Sequence, residues 1–264
     1  MGLYARPRLR AAGDAAVSVE VADEISREAN ARVLTLERLL LDARVPGLVE
    51  TLPTFQALLV TYDPLVLPWE RLSAALEALA PRLEHAPTPP GRRVELPCAY
   101  GGEYGPDLDE VASRLGLQPA DVVRLHTEAE HYVYFVGFTP GLPYMAGQPA
   151  ALTIPRLDRP RTKTPAGSVG IGGNQTSIYS VESPGGFWLL GRTPLRLYDP
   201  AAPDPILLRA GDRVRFRPID AAEFRAIAAA VQAGTARARI ESDAASTPGQ
   251  APLPLPPEGG SDCL

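Results

Sequence analysis

Lysine is almost missing from this chain: Lys163 is the only one in 264 residues, and arginine carries the remaining basic charge. Cysteine is nearly as scarce. Cys98 and Cys263 lie far apart, too few and too distant for a disulfide framework or a paired-cysteine metal motif. No metal site is expected, and two lone thiols fit a reducing compartment. No apolar run approaches the ~20 residues of a membrane span. The segment MGLYARPRLRAAGD lacks the apolar centre of a signal peptide, so a soluble cytoplasmic protein is expected, with no membrane partner. A net charge of −5 gives no field for a polyanion, which argues against nucleic acid as a partner. A phosphate-cradling G-x-x-x-x-G-K-[ST] loop is absent. Gly170-x-Gly172-Gly173 is no dinucleotide fingerprint either, because Gln175 stands at the third glycine's place.

What the chain does have is turns. It holds 29 prolines and 23 glycines, and they crowd the stretch from His131 to Asp199. Pro140-Gly141, Gly172-Gly173 and Pro184-Gly185-Gly186 separate short runs such as Tyr132 to Val136 and Phe187 to Leu190. Glycine reaches turn conformations closed to other residues, and proline presets the first turn position. Short apolar runs bounded in this way predict a β-barrel or sandwich.

Upstream the pattern is mixed. Ala31 to Ala43 places Val33, Leu36 and Leu40 at helical spacing, and Trp69, Leu72, Leu76 and Leu79 share one face of a second helix after Pro68. With strands near Val17 to Val21, Leu48 to Leu52 and Gln56 to Asp63, the order is β-α-β-β-α, which predicts a small ferredoxin-like unit. The expected class is α+β: a ferredoxin-like domain over 1–90, a β-barrel domain over 91–233, and a disordered Pro/Ala/Gly-rich tail over 234–264. The proline-dense segment around His85 is the expected linker. Asp107-x-x-Glu110 reads as a capping box for a short helix, Pro119 opens another toward His126, Asp212 to Arg217 reads as a strand, and Asp220 to Gln232 as a last helix.

Several side chains are candidates for chemistry. Of the three histidines, His126 and His131 lie outside the linker and are the candidates for proton transfer, because imidazole is the side chain whose unperturbed range is near neutrality. His126 is the stronger candidate, while His131 opens an apolar strand. Ala166-Gly167-Ser168-Val169-Gly170 is similar to a nucleophile elbow but lacks its first glycine and a following helix, so Ser168 is read as a turn or pocket hydroxyl. Arg156, Arg159 and Arg161 offer planar guanidinium groups suited to a carboxylate or phosphate. Gln175, Thr176 and Tyr179 would orient a small molecule through amide, hydroxyl and phenol groups. The expected substrate-binding set is Arg156, Arg161, Ser168, Gln175, Thr176 and Tyr179, with His126 as the catalytic candidate.

Three ordered blocks, GFTPGLPYMAG, PRLDRPRTKTPAGSVGIGGNQTSIY and SPGGFWLLGRTP, resemble the B-type subunit family of bacterial 5-oxoprolinases, also described as allophanate hydrolase subunit 1 or the kinase-inhibitor KipI family. The likeness extends upstream through YGGEYGPDLDEVA and His126, and covers most of the chain to about Pro218. It departs mildly where Gly186-Phe187 replaces the family's Gly-Trp. The resemblance implies a cyclophilin-like barrel for the second domain and a place in an ATP-dependent complex that converts 5-oxo-L-proline to L-glutamate. It also implies partners: a carboxyltransferase-like C-type subunit and an A-type subunit of 5-oxoprolinase, with ATP used by the complex. Two alternatives come with it: a regulatory inhibitor of a sensor histidine kinase, and a carboxyltransferase component acting on urea or allophanate. Prolyl isomerase activity does not follow from a cyclophilin-like fold.

Overall fold

The computed structural model describes residues 2–83 and 90–242, which form two compact units. The linker around His85, and the expected tail from 243 onward with Cys263, lie outside the described residues.

The first unit is a four-stranded antiparallel sheet with two helices. Strands β1 (Leu3–Ala11) and β2 (Ala16–Ala22) precede helix α1 (Arg27–Asp42). Strands β3 (Leu48–Pro53) and β4 (Ala57–Tyr62) precede helix α2 (Trp69–Leu83), and the sheet order is β1-β2-β4-β3. Ser26 caps α1, its Oγ accepting the Ala29 amide at 3.0 Å. The helical spacing read from sequence buries Val33, Leu36 and Leu40 completely, against Val17, Val19 and Val60 of the sheet. Leu72, Leu76 and Leu79 are buried from α2, whereas Trp69, expected on the same face, is partly exposed. The ferredoxin-like expectation is not confirmed as stated. That arrangement has a strand after its second helix, beside β2 in the sheet; here β1, from before the first helix, holds that position.

The second unit is a closed barrel. Strand β5 (Arg92–Tyr100) is followed by helices α3 (Leu108–Leu115) and α4 (Pro119–Glu128). Strands β6 (His131–Val136), β7 (Pro143–Ala146), β8 (Arg161–Thr164), β9 (Ser168–Gly172), β10 (Gln175–Ile178), β11 (Ser183–Gly185) and β12 (Trp188–Arg192) come next. Strand β13 (Arg213–Ile219), helix α5 (Ala221–Gln232) and strand β14 (Arg239–Ser242) complete it. The strands run β12-β9-β10-β7-β6-β13-β5, and β12 pairs back onto β5 through Gly191 opposite Tyr100, closing seven strands into a ring. A Cβ on Gly191 would stand 2.7 Å from Cys98 Sγ, so the seam closes only with glycine there. Closure satisfies the edges that an open sheet would expose. This barrel is consistent with the cyclophilin-like expectation.

Inside lie Val94, Leu96, Val133, Met145, Val169, Ile178 and Val214. Arg92 ties the start of β5 to the loop before β13, donating to both carboxylate oxygens of Asp212 at 2.9 and 2.6 Å. Strands β8 and β11 stand apart as a two-stranded ribbon. The segment from 234, expected to be structureless, contributes β14, which pairs with β5 from Arg92 to Glu95. The capping-box expectation also fails. Asp107 occupies the N-cap position of α3 but makes no capping bond.

Candidate functional site

A cavity of about 190 Å³ opens where the β6–β7 turn, the loop before β8 and the β11–β12 turn meet. Its walls are Leu142, Tyr144 and Phe187, its polar groups Ser177, Tyr179 and Arg156. Each is set by local structure. Ser177 sits on β10 and donates to the Pro143 carbonyl at 2.8 Å, joining β10 to the start of β7. Tyr179 packs with Leu142, Phe187 and Leu189 in a small apolar cluster of its own. Its phenol oxygen accepts from the Phe187 amide at 3.4 Å. Burial raises the Tyr179 pKa above the ordinary phenol value, so the phenol stays neutral and keeps a proton to donate.

Arg156 is the charged group of this cavity. Its guanidinium lies 4.8 Å from the centre of the Phe187 ring and donates to Gln175 Oε1 at 3.0 Å. No carboxylate among the described residues pairs with it. A cation stacked on an aromatic face and bonded only to a neutral amide keeps donors for an anion. Phe138 stands at the mouth, 70% exposed, with φ of 68°. That conformation is uncommon for a bulky residue.

The structure thus brings Arg156, Gln175 and Tyr179 together, as the sequence reading grouped them. It takes the others elsewhere. Arg161 is a structural clamp, its Nη2 donating to Asp107 Oδ1 at 2.6 Å and its Nη1 to the Phe187 carbonyl at 3.2 Å. Asp107 Oδ2 accepts the Leu189 amide at 2.7 Å, which explains the empty capping bond. Thr176 is wholly buried and donates to Gln148 Oε1 at 2.9 Å. Ser168 opens β9 as a buried strand residue with no helix after it, unlike a nucleophile elbow.

His126 is placed in the core rather than at the cavity. It is 0% exposed on α4, with its ring against Phe216 and His131. Its Nδ1 shares a hydrogen bond with Tyr100 Oη at 2.8 Å, and its Nε2 has no partner among the described residues. His131 Nε2 donates to the His126 carbonyl at 2.9 Å. Burial, then the neighbouring His131, holds the His126 pKa well below the usual imidazole value. A neutral, sealed imidazole positions α4 against β6 and β13; it does not reach a molecule in the cavity.

Residues that sequence reasoning missed are Ser177, Tyr144 and Phe187. For Tyr144 and Phe187 the signal was available in GLPYMAG and SPGGF, where an aromatic follows a Gly/Pro turn and can stand at a barrel mouth.

Comparison with known proteins adds a second line of argument. The family described as "Carboxyltransferase domain, subdomain C and D" matches residues 7–208. The chain is 37% identical over 231 residues to the 5-oxoprolinase B-type subunit of Bacillus subtilis (strain 168), covering 84% of this chain and 96% of that protein. It is 41% identical over 215 residues to the 5-oxoprolinase B-type subunit of Escherichia coli O157:H7, covering 81% and 96%. Among solved structures, TTHA0988 superposes with a TM-score of 0.69 at 40% identity, over 81% of this chain and 40% of that longer one. The urea carboxylase of Kluyveromyces lactis shares the fold, with a TM-score of 0.74 at 22% identity over 90% of this chain and 24% of that one. Among the described residues, no helix is long and apolar enough to cross a membrane.

Proposed function

Since the chain belongs to the family of 5-oxoprolinase B-type subunits, we propose that it works within a multi-subunit complex that opens 5-oxo-L-proline to L-glutamate at the expense of ATP. The observation that carries this reading into the structure is Arg156, a guanidinium with no acidic partner among the described residues, at the edge of a small apolar cavity. Its fork suits the substrate carboxylate, and Leu142, Tyr144 and Phe187 suit the lactam ring. The Tyr179 phenol and the Ser177 hydroxyl are positioned to meet the lactam carbonyl and ring nitrogen.

The chain's share of the chemistry is binding and orientation. A lactam is resonance-stabilised, so its carbonyl oxygen needs activation, for example by phosphoryl transfer from ATP. Water then attacks the activated carbon and the ring C–N bond breaks, the nitrogen taking up a proton. A second water hydrolyses the resulting acyl phosphate, which releases phosphate and leaves the new carboxylate. The cavity holds no nucleophile suited to covalent catalysis and no phosphate-cradling loop. In this reading the ATP chemistry belongs to the partners, a carboxyltransferase-like C-type subunit and an A-type subunit. His126 has a positioning role.

A second reading has its own support: the carboxyltransferase description of the matched family, and 28% identity over 162 residues to a putative urea carboxylase of Emericella nidulans. The same guanidinium would then hold a carboxylated intermediate. One assay separates the two. This chain is co-purified with its partner subunits, and ATP-dependent turnover is compared for 5-oxo-L-proline and urea. Glutamate release that requires both this chain and Arg156 supports the first reading. Release undiminished when the chain is omitted defeats it, and turnover of urea alone selects the second.

A further inference from the structure

A second cavity, of about 260 Å³, lies on the barrel where the turn before β9, the end of β12 and helix α5 come together. The proposed reaction makes no use of it. Its polar lining is Arg192, Arg196, Thr193 and Ser180, and its apolar floor includes Phe224 and Ala228, one helical turn apart on α5.

The polar side is fixed in advance. Arg192 donates through Nε to the Ala166 carbonyl at 2.8 Å, which anchors the guanidinium and leaves its two terminal nitrogens without a partner among the described residues. The Thr193 amide donates to the Gly167 carbonyl at 2.9 Å, and the Gly167 amide to the Tyr179 carbonyl at 2.7 Å, so the Ala166–Gly167 turn is pinned on both flanks. Thr193 is buried, and its Oγ1 accepts the Leu195 amide at 3.3 Å, which leaves the hydroxyl proton to donate. Ser180 Oγ pairs with Thr139 Oγ1 at 3.3 Å. The carboxylate paired with Arg196 is Asp199, at 3.9 Å, the outer limit of an ion pair. Two guanidinium groups lining one concavity, neither closely neutralised, repel each other unless an anion lies between them.

We propose that this cavity is a second binding site, for a small organic oxyanion. Arg192 and Arg196 hold the charged oxygens, the Thr193 hydroxyl donates to one of them, and the organic body rests on Phe224. The oxyanion can be a phosphate monoester or a carboxylate, and the inference stands independently of the 5-oxoproline reading.

The test is calorimetric titration of the full chain with phenyl phosphate, benzoate and inorganic phosphate. Saturable binding is expected, with phenyl phosphate tighter than inorganic phosphate because only the former has a body for the floor. Preference for phenyl phosphate over benzoate assigns a phosphoryl ligand, and the reverse assigns a carboxylate. Arg196→Gln, at an exposed position that leaves the fold intact, should weaken binding about tenfold or more. Arg192→Gln should abolish binding, and Phe224→Ala should erase the advantage of the phenyl group. Arg156→Gln, in the other cavity, separates the two sites: binding that it removes belongs to that cavity, and the binding assigned here survives it. Absence of saturable binding by every probe, or equal binding in Arg196→Gln and the parent chain, overturns the proposal.

Discussion

The phenol oxygen of Tyr179 occupies the space that a Cβ on Gly185 would take. The ring of one residue is therefore seated by the missing side chain of another, and the cavity's polar wall depends on that fit. Gly185→Ala should displace the ring and fill the cavity. The expected cost is about 1–3 kcal/mol of stability, the usual range for overpacking. Turnover of the assembled complex should fall more than tenfold. Tyr179→Phe is the comparison: it keeps the ring in its seat and removes the hydroxyl with its long 3.4 Å bond from the Phe187 amide, so its melting temperature should fall less than that of Gly185→Ala. Equal turnover in Gly185→Ala and the parent would show that this wall takes no part.

Arg156 is exposed, and among the described residues its hydrogen-bond partner is Gln175 alone, so the fold does not depend on it. Arg156→Gln should change unfolding free energy by no more than ~0.5 kcal/mol. It should raise KM for 5-oxo-L-proline about tenfold or more, since one charge-assisted contact is lost. Steady-state kinetics of the complex, paired with urea denaturation of the chain, separates the two effects. A large loss of stability with unchanged KM would assign Arg156 to structure.

Arg161 carries the opposite expectation. It bonds Asp107 across 54 residues of sequence, and Asp107 also holds the Leu189 amide. Asp107→Ala leaves Arg161 Nη2 and the buried Leu189 amide without their acceptor, at a cost of roughly 2–3 kcal/mol. Arg161→Met should cost less, because Asp107 keeps its backbone bond and the long side chain keeps its packing. Chemical denaturation midpoints check the order. If Arg161→Met proves the more damaging, the pair does not work as described.

His126 ties stability to pH. Its folded pKa lies well below the usual value, so the unfolded chain binds its proton first as pH falls. This contribution is fully present above the unfolded pKa of about 6.5. It is lost as pH drops below that value, with a slope approaching about 1.4 kcal/mol per pH unit, until the folded group also protonates. Urea unfolding between pH 7.5 and 5 should show this slope, and His126→Gln should reduce it. Turnover at neutral pH should survive that variant if the histidine only positions α4. A pH slope identical in variant and parent would remove His126 as its source.

Much of the architecture was legible because burial imposes a period. Val33, Leu36 and Leu40 mark one helix face, and the glycine- and proline-bounded runs after His131 mark short strands. Strand β1 escaped because it is an exposed edge: Arg6, Arg8 and Arg10 obscure its alternation, and Pro7 falls where its register with β2 shifts. The site was only half legible. Arg156 and Arg161 are alike in sequence, and what separates them is which one meets Asp107. That carboxylate was itself misread as a helix cap, because its partners arrive from 54 and 82 residues away. Local propensity yields to such partners when they offer a buried carboxylate more bonds than the cap would. His126 was misjudged for a related reason. Its titration range suggested chemistry, while its place on α4 made it core.

The ring of strands also sets a timetable. Strand β5 is the first of the barrel to leave the ribosome, yet its neighbours β12, β13 and β14 are among the last, and Arg92 must wait 120 residues for Asp212. At usual rates of synthesis that is on the order of ten seconds. Throughout that interval Val94 and Leu96 have no barrel to enter. The newborn chain therefore passes through a vulnerable age, in which an apolar strand is open to any other strand nearby and a chaperone has its clearest task.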